Sequence, residues 1–473
     1  MPPKTPPSPY LINIHNKEAM SAKTIAYIGP RLKHRIVTLL CLLTFTTVLG
    51  STLQREPLIH LREETTCKEV SELRRQPGPT RTGYDFCQSA MVHDKVTLVY
   101  RVYKAIPVIV AMVCAIPFGV HTSRNPACRK TVLVLSGVEA ALALGWVLAV
   151  CYFRAVSTWW IWLSGIFLLL GGGDTVALSI VHAMVADVVG EEERSKTFLY
   201  FQAAEVIAGL LGPRLGLLIM SSGGGIWSVL FFAVGAIIAR IEIARSLPER
   251  IAHDNESRGF RVRRPIFRLL APPRQAIPLL LIYVVQDASK DVFAIIGLRY
   301  SAVKFSLPFG SASRLLTLFQ ASQTLCVVIV LPMVMYLVSA FLPWNSWVRD
   351  RNFMISLIAL LALGTLIMGL TPSPNVETVG LVLVALGRCL GPFILSLLSG
   401  AVRPEQIGVV YSVAIMGGMV GSHAAEPIFH ALLVCGMKLE GGWIGLPFDV
   451  MAGGMAVVLL ATLFVKRGVG NEL

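Results

Sequence analysis

Ionisable residues set inside apolar runs are the sharpest chemical signal in this sequence. Asp174 follows Gly171-Gly172-Gly173 within one such run, and Glu205 and Arg214 share another. Asp287, Lys290 and Asp291 are spaced i, i+3 and i, i+4, Arg388 sits in mid-run, and His423 and Glu426 lie three apart, so each cluster shares one helical face. A charge at the centre of a bilayer costs roughly 2.5–3.5 kcal/mol on insertion scales, which sends such groups to a wet cavity or to a partner. Burial favours a neutral carboxyl, whereas a nearby guanidinium favours the ionised form, and a proton-carrying group exploits that competition. On this reading Asp174, Glu205, Asp287 or Glu426 changes protonation, and Arg388 or Arg214 supplies an alternating counter-charge or receives an anionic solute group.

Other polar positions carry blander expectations. Lys290 and Asp291 neutralise each other or Asp287. Glu139, and Arg240 with Glu242, belong to helix packing or snorkel to an interface, as do Arg101 and Lys104. His182 reads as a packing residue. Thr46, Gln202, Gln286, Gln320 and Gln323 could hydrogen-bond an uncharged solute, but their spacing names no compound.

Enzymatic chemistry finds little support. There is no G-x-x-x-x-G-K-[ST] phosphate loop, no H-E-x-x-H, no G-x-S-x-G and no C-x-x-C with histidine partners, so neither a metal nor a cofactor is expected. His423 and Glu426 imitate an intramembrane transferase pair only by spacing.

These residues must be positioned by membrane helices. The 473-residue chain is 54% hydrophobic and 15% charged, with a mean hydropathy of +0.66; soluble domains carry roughly 25% charged residues. A bilayer core about 30 Å thick needs roughly 20 apolar residues. Twelve such runs can be drawn, at 36–54, 99–118, 131–153, 160–188, 198–220, 227–246, 276–298, 315–337, 353–370, 379–400, 408–435 and 443–465. The expected fold is an all-α membrane protein, with twelve helices in two pseudo-symmetric six-helix bundles.

Loop charge supports that count. Lys23, Arg31, Lys33 and Arg35 precede the first run; Arg124, Arg129 and Lys130 follow the second; Arg194 and Lys196, Arg349 and Arg351, then Arg403 follow alternate later ones; Lys466 and Arg467 come last. The positive-inside rule therefore puts both termini in the cytoplasm, in the plasma membrane or an organelle membrane. The expected organisation is a basic tail at 1–35, one bundle at 36–246 with an exoplasmic loop at 55–98, a basic linker at 247–275, a second bundle at 276–465 and a tail at 466–473. The net charge of +14 is then assigned to cytoplasmic loops and anionic lipid, not to nucleic acid. Asn255-Glu256-Ser257 is a glycosylation sequon that a cytoplasmic linker leaves unmodified, which makes it a topology reporter. Cys67 and Cys87 share the polar first loop and could pair under oxidising conditions.

Several runs resemble the major facilitator superfamily, particularly its fungal members similar to proton-coupled and tetracycline-type carriers. They are Ile116-Pro117-Phe118-Gly119-Val120, the run IWLSGIFLLLGGGDTVALSIVHAMVADVVGEEERSKTFLY, RPEQIGVVYS and GGWIGLPF. The resemblance covers about Thr38 to Lys466. It implies that runs one, four, seven and ten line a central cavity, which ranks Asp174, Asp287 and Arg388 first and Glu205, Arg214, His423 and Glu426 second. The family's loop motif, G-x-x-x-D-R-x-G-R-R, is altered here: Gly119, Arg124, Arg129 and Lys130 remain, but Ser123 stands where the aspartate belongs. Gly212-Pro213-Arg214-Leu215-Gly216 resembles part of an antiporter motif, with Leu217 replacing its last glycine. Gly212, Pro213 and Gly216 would bend the helix or let a neighbour approach.

The resulting expectation is a monomeric secondary-active transporter that exports or imports a small organic molecule with protons by alternating access, the antiporter-like motif pointing toward export. A transport-inactive receptor or scaffold, suggested by Ser123, and a membrane-embedded transferase are the alternatives.

Overall fold

The computed structural model describes residues 29–74, 90–153, 156–248, 272–306, 309–439, 441–462 and 465; Cys87, Asn255, Lys466, Arg467 and most of the 247–275 linker lie outside them. Among the described residues the chain is helical and contains no strand. The first half comprises α1 (Pro30–Arg74), α2 (Ala90–Arg124), α3 (Cys128–Phe153), α4 (Gly173–Val188), α5 (Glu191–Ile219) and α6 (Gly225–Ser246). The second comprises α7 (Ala276–Lys304) and α8, which runs from Phe309–Leu325 through a wider π-turn at Cys326–Val330 into Leu331–Phe341. It continues with α9 (Ser346–Leu370), α10 (Pro374–Gly387, resuming at Gly391–Ala401), α11 (Ile407–Leu439) and α12 (Leu446–Thr462).

Local chemistry sets several of these ends. The three glutamates Glu191, Glu192 and Glu193 open α5, where carboxylates complement the positive end of the helix dipole. Asn345 caps α9 by accepting a 2.9 Å bond from the Val348 amide, and Pro374 occupies the first turn of α10, where its missing N–H forfeits no helical bond.

Nine stretches among the described residues are long and apolar enough to cross a membrane. Three of the expected runs do not separate in that count, each for a physical reason. The fourth is broken: the chain passes from a 3₁₀ segment, Thr158–Leu163, and a short turn, Ser164–Phe167, to α4. Gly172 and Gly173 hold positive φ (83° and 76°), a conformation that only glycine adopts without strain. The glycine triplet is thus a helix-breaking turn; packing alone does not describe it. The seventh run, α7, carries Asp287, Lys290 and Asp291, too many charges for a lipid-solvated helix. The fifth and sixth are joined without a polar loop, through a π-turn at Met220–Gly224 in which Gly223 has φ 88°.

The first loop also differs from expectation. Residues 55–74 continue α1 and residues 90–98 belong to α2, so much of this segment is regular helix. Charged side chains on these extensions find partners of their own: Glu69 accepts from Thr158 Oγ1 (2.6 Å) and meets Lys95 (3.1 Å), and the Arg62 guanidinium lies 3.9 Å from the Tyr103 ring centre. Cys67 is disulfide-bonded.

Within the first half α1 packs on α5 and α6; within the second, α9 packs on α10 and α12, and α7 on α11. The halves meet where α11 lies against α2 and α4, and where α5 lies against α8 and α10. One apolar core runs across this seam, with Phe198, Tyr411 and Phe393 fully buried. The site must therefore lie along these same four helix contacts.

Candidate functional site

A narrow cavity opens at the seam between α4, α5, α7 and α10, with about 420 Å³ of open space including the part continuous with solvent. Its polar lining comes from α5 (Gln202, Glu205) and α7 (Tyr283, Gln286, Lys290). On α7, residues 283, 286 and 290 recur at helical spacing, so one face presents all three. Lys290 is ion-paired with Asp287, whose side chain is 15% exposed against 40% for Lys290. Asp287 nests on Gly418 of α11, where an added Cβ would lie 2.6 Å from Oδ2. Glu205 is within electrostatic reach of both members of the pair. The cavity is therefore lined by one acid and one base from opposite halves of the molecule, with Asp287 paired to that base outside the lining.

His182 contributes an apolar wall and a polar edge. Its Nδ1 lies 2.7 Å from the Leu178 carbonyl, and its ring stands 5.3 Å from Phe198 and 6.1 Å from Tyr411. It packs, as expected, but it also lines the cavity. Arg388 is buried beside the cavity in the 3₁₀ break of α10, Arg388–Leu390. Its guanidinium lies over the Phe319 ring at 5.3 Å, while its main-chain carbonyl accepts from Gln202 Nε2 at 3.4 Å.

Other expected site residues lie elsewhere. Asp174 opens α4 with its side chain 61% exposed and accepts from Arg240 Nη1 of α6 at 2.7 Å. The same guanidinium donates to Ser136 Oγ at 2.9 Å, and Glu139 accepts from the Gly171 amide at 2.7 Å. The glycine turn rotates Asp174 toward α3 and α6, away from the cavity. Arg240 is buried and does not snorkel; Glu242 pairs instead with Arg245 at 2.7 Å. Asp174 is exposed but its partner Arg240 is buried, so Asp174→Asn leaves the guanidinium with an uncharged acceptor and Ser136 and should cost about 1–3 kcal/mol, lowering the melting temperature by several degrees while leaving solute affinity within about twofold, a result that ligand-dependent thermal stabilisation would check.

Arg214 is exposed on α5 and is not brought to the cavity. The neighbouring Gly212 faces α1, where an added Cβ would come within 2.0 Å of Thr52 Oγ1, and Gly216 faces Val229 of α6. The antiporter-like segment thus makes close helix contacts within the first half, and α5 continues past Pro213. Glu426 pairs across the seam with Lys104 of α2 at 2.9 Å, which ties the two halves together where Lys104 had been expected to reach an interface. His423 Nδ1 lies 2.9 Å from the Met419 carbonyl, and neither α11 residue lines the cavity.

A second seam contact forms at the end of the bundle that carries the α2–α3 turn. Ser123 stands so near Gly408 that a Cβ there would lie 2.4 Å from its Oγ, and Gly119 makes the same approach to Ser412. The small side chain in the aspartate's place permits this contact between α2 and α11. Charge enters from other helices. Arg349 of α9 donates to the Glu192 carbonyl (2.9 Å) and Ser195 Oγ (3.1 Å) of α5. Arg194 of α5 donates to Ser399 Oγ of α10 (2.8 Å) and to the Ala186 and Val189 carbonyls (3.1 and 3.3 Å). Asp350 is fixed between Arg349 (3.1 Å) and Ser396 Oγ (2.7 Å). Of the loop-motif residues, Arg129 pairs with Asp187 and reaches the Thr122 carbonyl at 3.3 Å.

Sequence reasoning missed Tyr283, Tyr411, Arg349 and Asp350. Tyr283 could have been found from its spacing to Gln286 and Lys290; the others depend on which helices meet across the seam. Among the described residues no group of three or more His, Cys, Asp or Glu side chains is placed to hold a metal.

Comparison with known proteins bears on the family and the fold. The sequence profile of the Major Facilitator Superfamily matches residues 105–426. The MFS efflux pump atnC of Emericella nidulans is 29% identical over 462 residues, covering 90% of this chain and 87% of that protein. The MFS-type transporter aprT of Aspergillus flavus is 22% identical over 480 residues, covering 96% and 92%. Among solved structures, the Escherichia coli fucose:proton symporter FucP superposes with a TM-score of 0.63 at 14% identity, covering 91% of this chain and 98% of that one. The human organic anion transporter MFSD10 gives 0.60 at 16% identity, covering 91% and 99%.

Proposed function

Given that this chain belongs to the major facilitator superfamily and is a multi-pass membrane transporter, not an enzyme, we propose that it moves a small organic solute by alternating access, coupled to protons. The observation that carries the reading is the seam cavity lined by Glu205 of one half and Lys290 of the other, with Asp287 paired to Lys290. When the halves rock, the distance between these charges changes. Each carboxylate then alternates between partnering Lys290 and meeting water or solute. Twelve crossings, both termini in the cytoplasm and a monomeric unit complete the proposal. Export is the proposed direction, supported by relatives that carry the name efflux pump.

Purified protein in proteoliposomes tests it. Radiolabelled solute should exchange in counterflow without covalent change, and an imposed pH gradient should drive its accumulation. Counterflow without any response to the gradient would reduce the activity to facilitated exchange.

A further inference from the structure

Two acceptors in the cavity lining have no donor. Gln202 Oε1 from α5 and Gln286 Oε1 from α7 are buried carbonyl oxygens with no hydrogen-bond partner, and both residues line the space. One N–H of the Gln202 amide reaches the Arg388 carbonyl at 3.4 Å, while its oxygen is left without a donor. At His182, Nδ1 contacts a carbonyl oxygen, which can only accept; the proton therefore sits on Nδ1 and the neutral ring presents Nε2 as a further acceptor. Glu205 adds two carboxylate oxygens. The lining's own donors, the Lys290 ammonium paired with Asp287, the Tyr283 hydroxyl and the Gln286 amide nitrogen, leave both glutamine oxygens unpartnered. Buried amide oxygens left without donors are costly, so the occupant that completes this cavity must bring N–H or O–H groups.

We propose, resting on the carrier reading above, that the solute is a hydrogen-bond donor: a compact organic amine or amide whose N–H groups meet Gln202 and Gln286 while its flat apolar part lies against Phe198 and the His182 ring. An anionic isostere is disfavoured because it would bring further acceptors to oxygens that already lack donors. A fully N-alkylated isostere keeps the apolar body and loses the donors. A site built to hydrogen-bond a solute N–H rejects the analogue lacking it, because its own polar groups are then left buried and unpaired.

The test uses the full-length protein in detergent and a matched naphthyl series: 2-(1-naphthyl)ethylammonium, 1-naphthylacetamide, the quaternary trimethylammonium and N,N-dimethylamide counterparts, and 1-naphthylacetate. Ligand-dependent thermal stabilisation gives the apparent Kd. The primary ammonium or the primary amide, or both, should bind at least about tenfold more tightly than its methylated counterpart and than the carboxylate. A lead of the ammonium over the amide assigns the principal contact to Glu205; equal binding assigns it to the two glutamines. Gln286→Met and Gln202→Met should each erase most of the gap between primary and methylated compounds. Equal binding across the series on the unmodified protein, tighter binding of the carboxylate, or no binding by any member overturns the proposal whatever the variants do. Counterflow of the same probes separates this claim from the carrier reading. Binding with donor preference but without exchange leaves the donor rule standing and removes the carrier, whereas exchange without donor preference does the reverse.

Discussion

Asp287→Asn should reduce solute accumulation driven by a pH gradient by at least about tenfold, while counterflow at equal pH on both sides falls by less than about threefold. The expectation follows from what the substitution leaves behind. Lys290 loses the carboxylate that neutralises it, and among the described side chains Glu205 is the remaining acid in its reach. Those two would then pair throughout the cycle, and neither would remain free to exchange a proton. Breaking a buried pair costs about 3–5 kcal/mol, but Lys290 is partly exposed and solvent screening brings the effect on stability down to about 1–2 kcal/mol. The double variant Asp287→Asn/Lys290→Met should recover that stability without recovering coupling. Equal losses in gradient-driven flux and in counterflow would assign the pair to structure alone, and unchanged gradient-driven flux would remove it from the mechanism.

Arg349→Ala should loosen the seam at the α2–α3 end, the cytoplasmic end in the proposed orientation. The guanidinium crosses from α9 to two acceptors on α5 and also neutralises Asp350, which is 1% exposed. Its removal leaves a buried carboxylate held only by the Ser396 and Ser195 hydroxyls, a loss of about 2–4 kcal/mol. Hydrogen exchange should accelerate by at least about tenfold in residues 191–199 and 395–401, with little change near Lys104 and Glu426 at the other seam contact. Arg194→Ala should act in the same direction but less strongly, because two of the three acceptors of Arg194 lie in its own half of the molecule. Undiminished protection in both segments would show that packing of Gly119 and Gly408 against α11 and α2 closes this end unaided.

Comparison of these two regions shows how far the sequence could be read. Membrane insertion makes unpaired charge expensive, so Glu205, Asp287 and Lys290 stand out from their apolar neighbours in the sequence alone. The same argument singled out Asp174 and Arg214 with equal force, and the fold places neither in the cavity. A glycine turn at 172–173 redirects Asp174 to Arg240, and Arg214 lies on the exposed side of α5. Hydrophobic cost says that a charge needs company but carries no information about direction. Ser123 offers the converse lesson. Its departure from the family motif suggested a missing latch, yet Arg349, Asp350 and Arg194 join the halves at that end through helices remote in sequence. Only the packing of α5 against α9 and α10 makes their partnership visible.

The chain by itself determined an all-helical membrane protein, because apolar runs of bilayer length can satisfy their backbone groups in lipid only as helices or closed barrels, and these runs have helical length. It also named most of the ionisable residues that required an explanation. Tertiary structure alone decided which of them meet, since the side chains that complete Glu205, Arg349 and Glu426 lie on helices of the opposite half. A contact between residues so far apart in the chain is fixed by how two surfaces fit, and no local spacing encodes that fit.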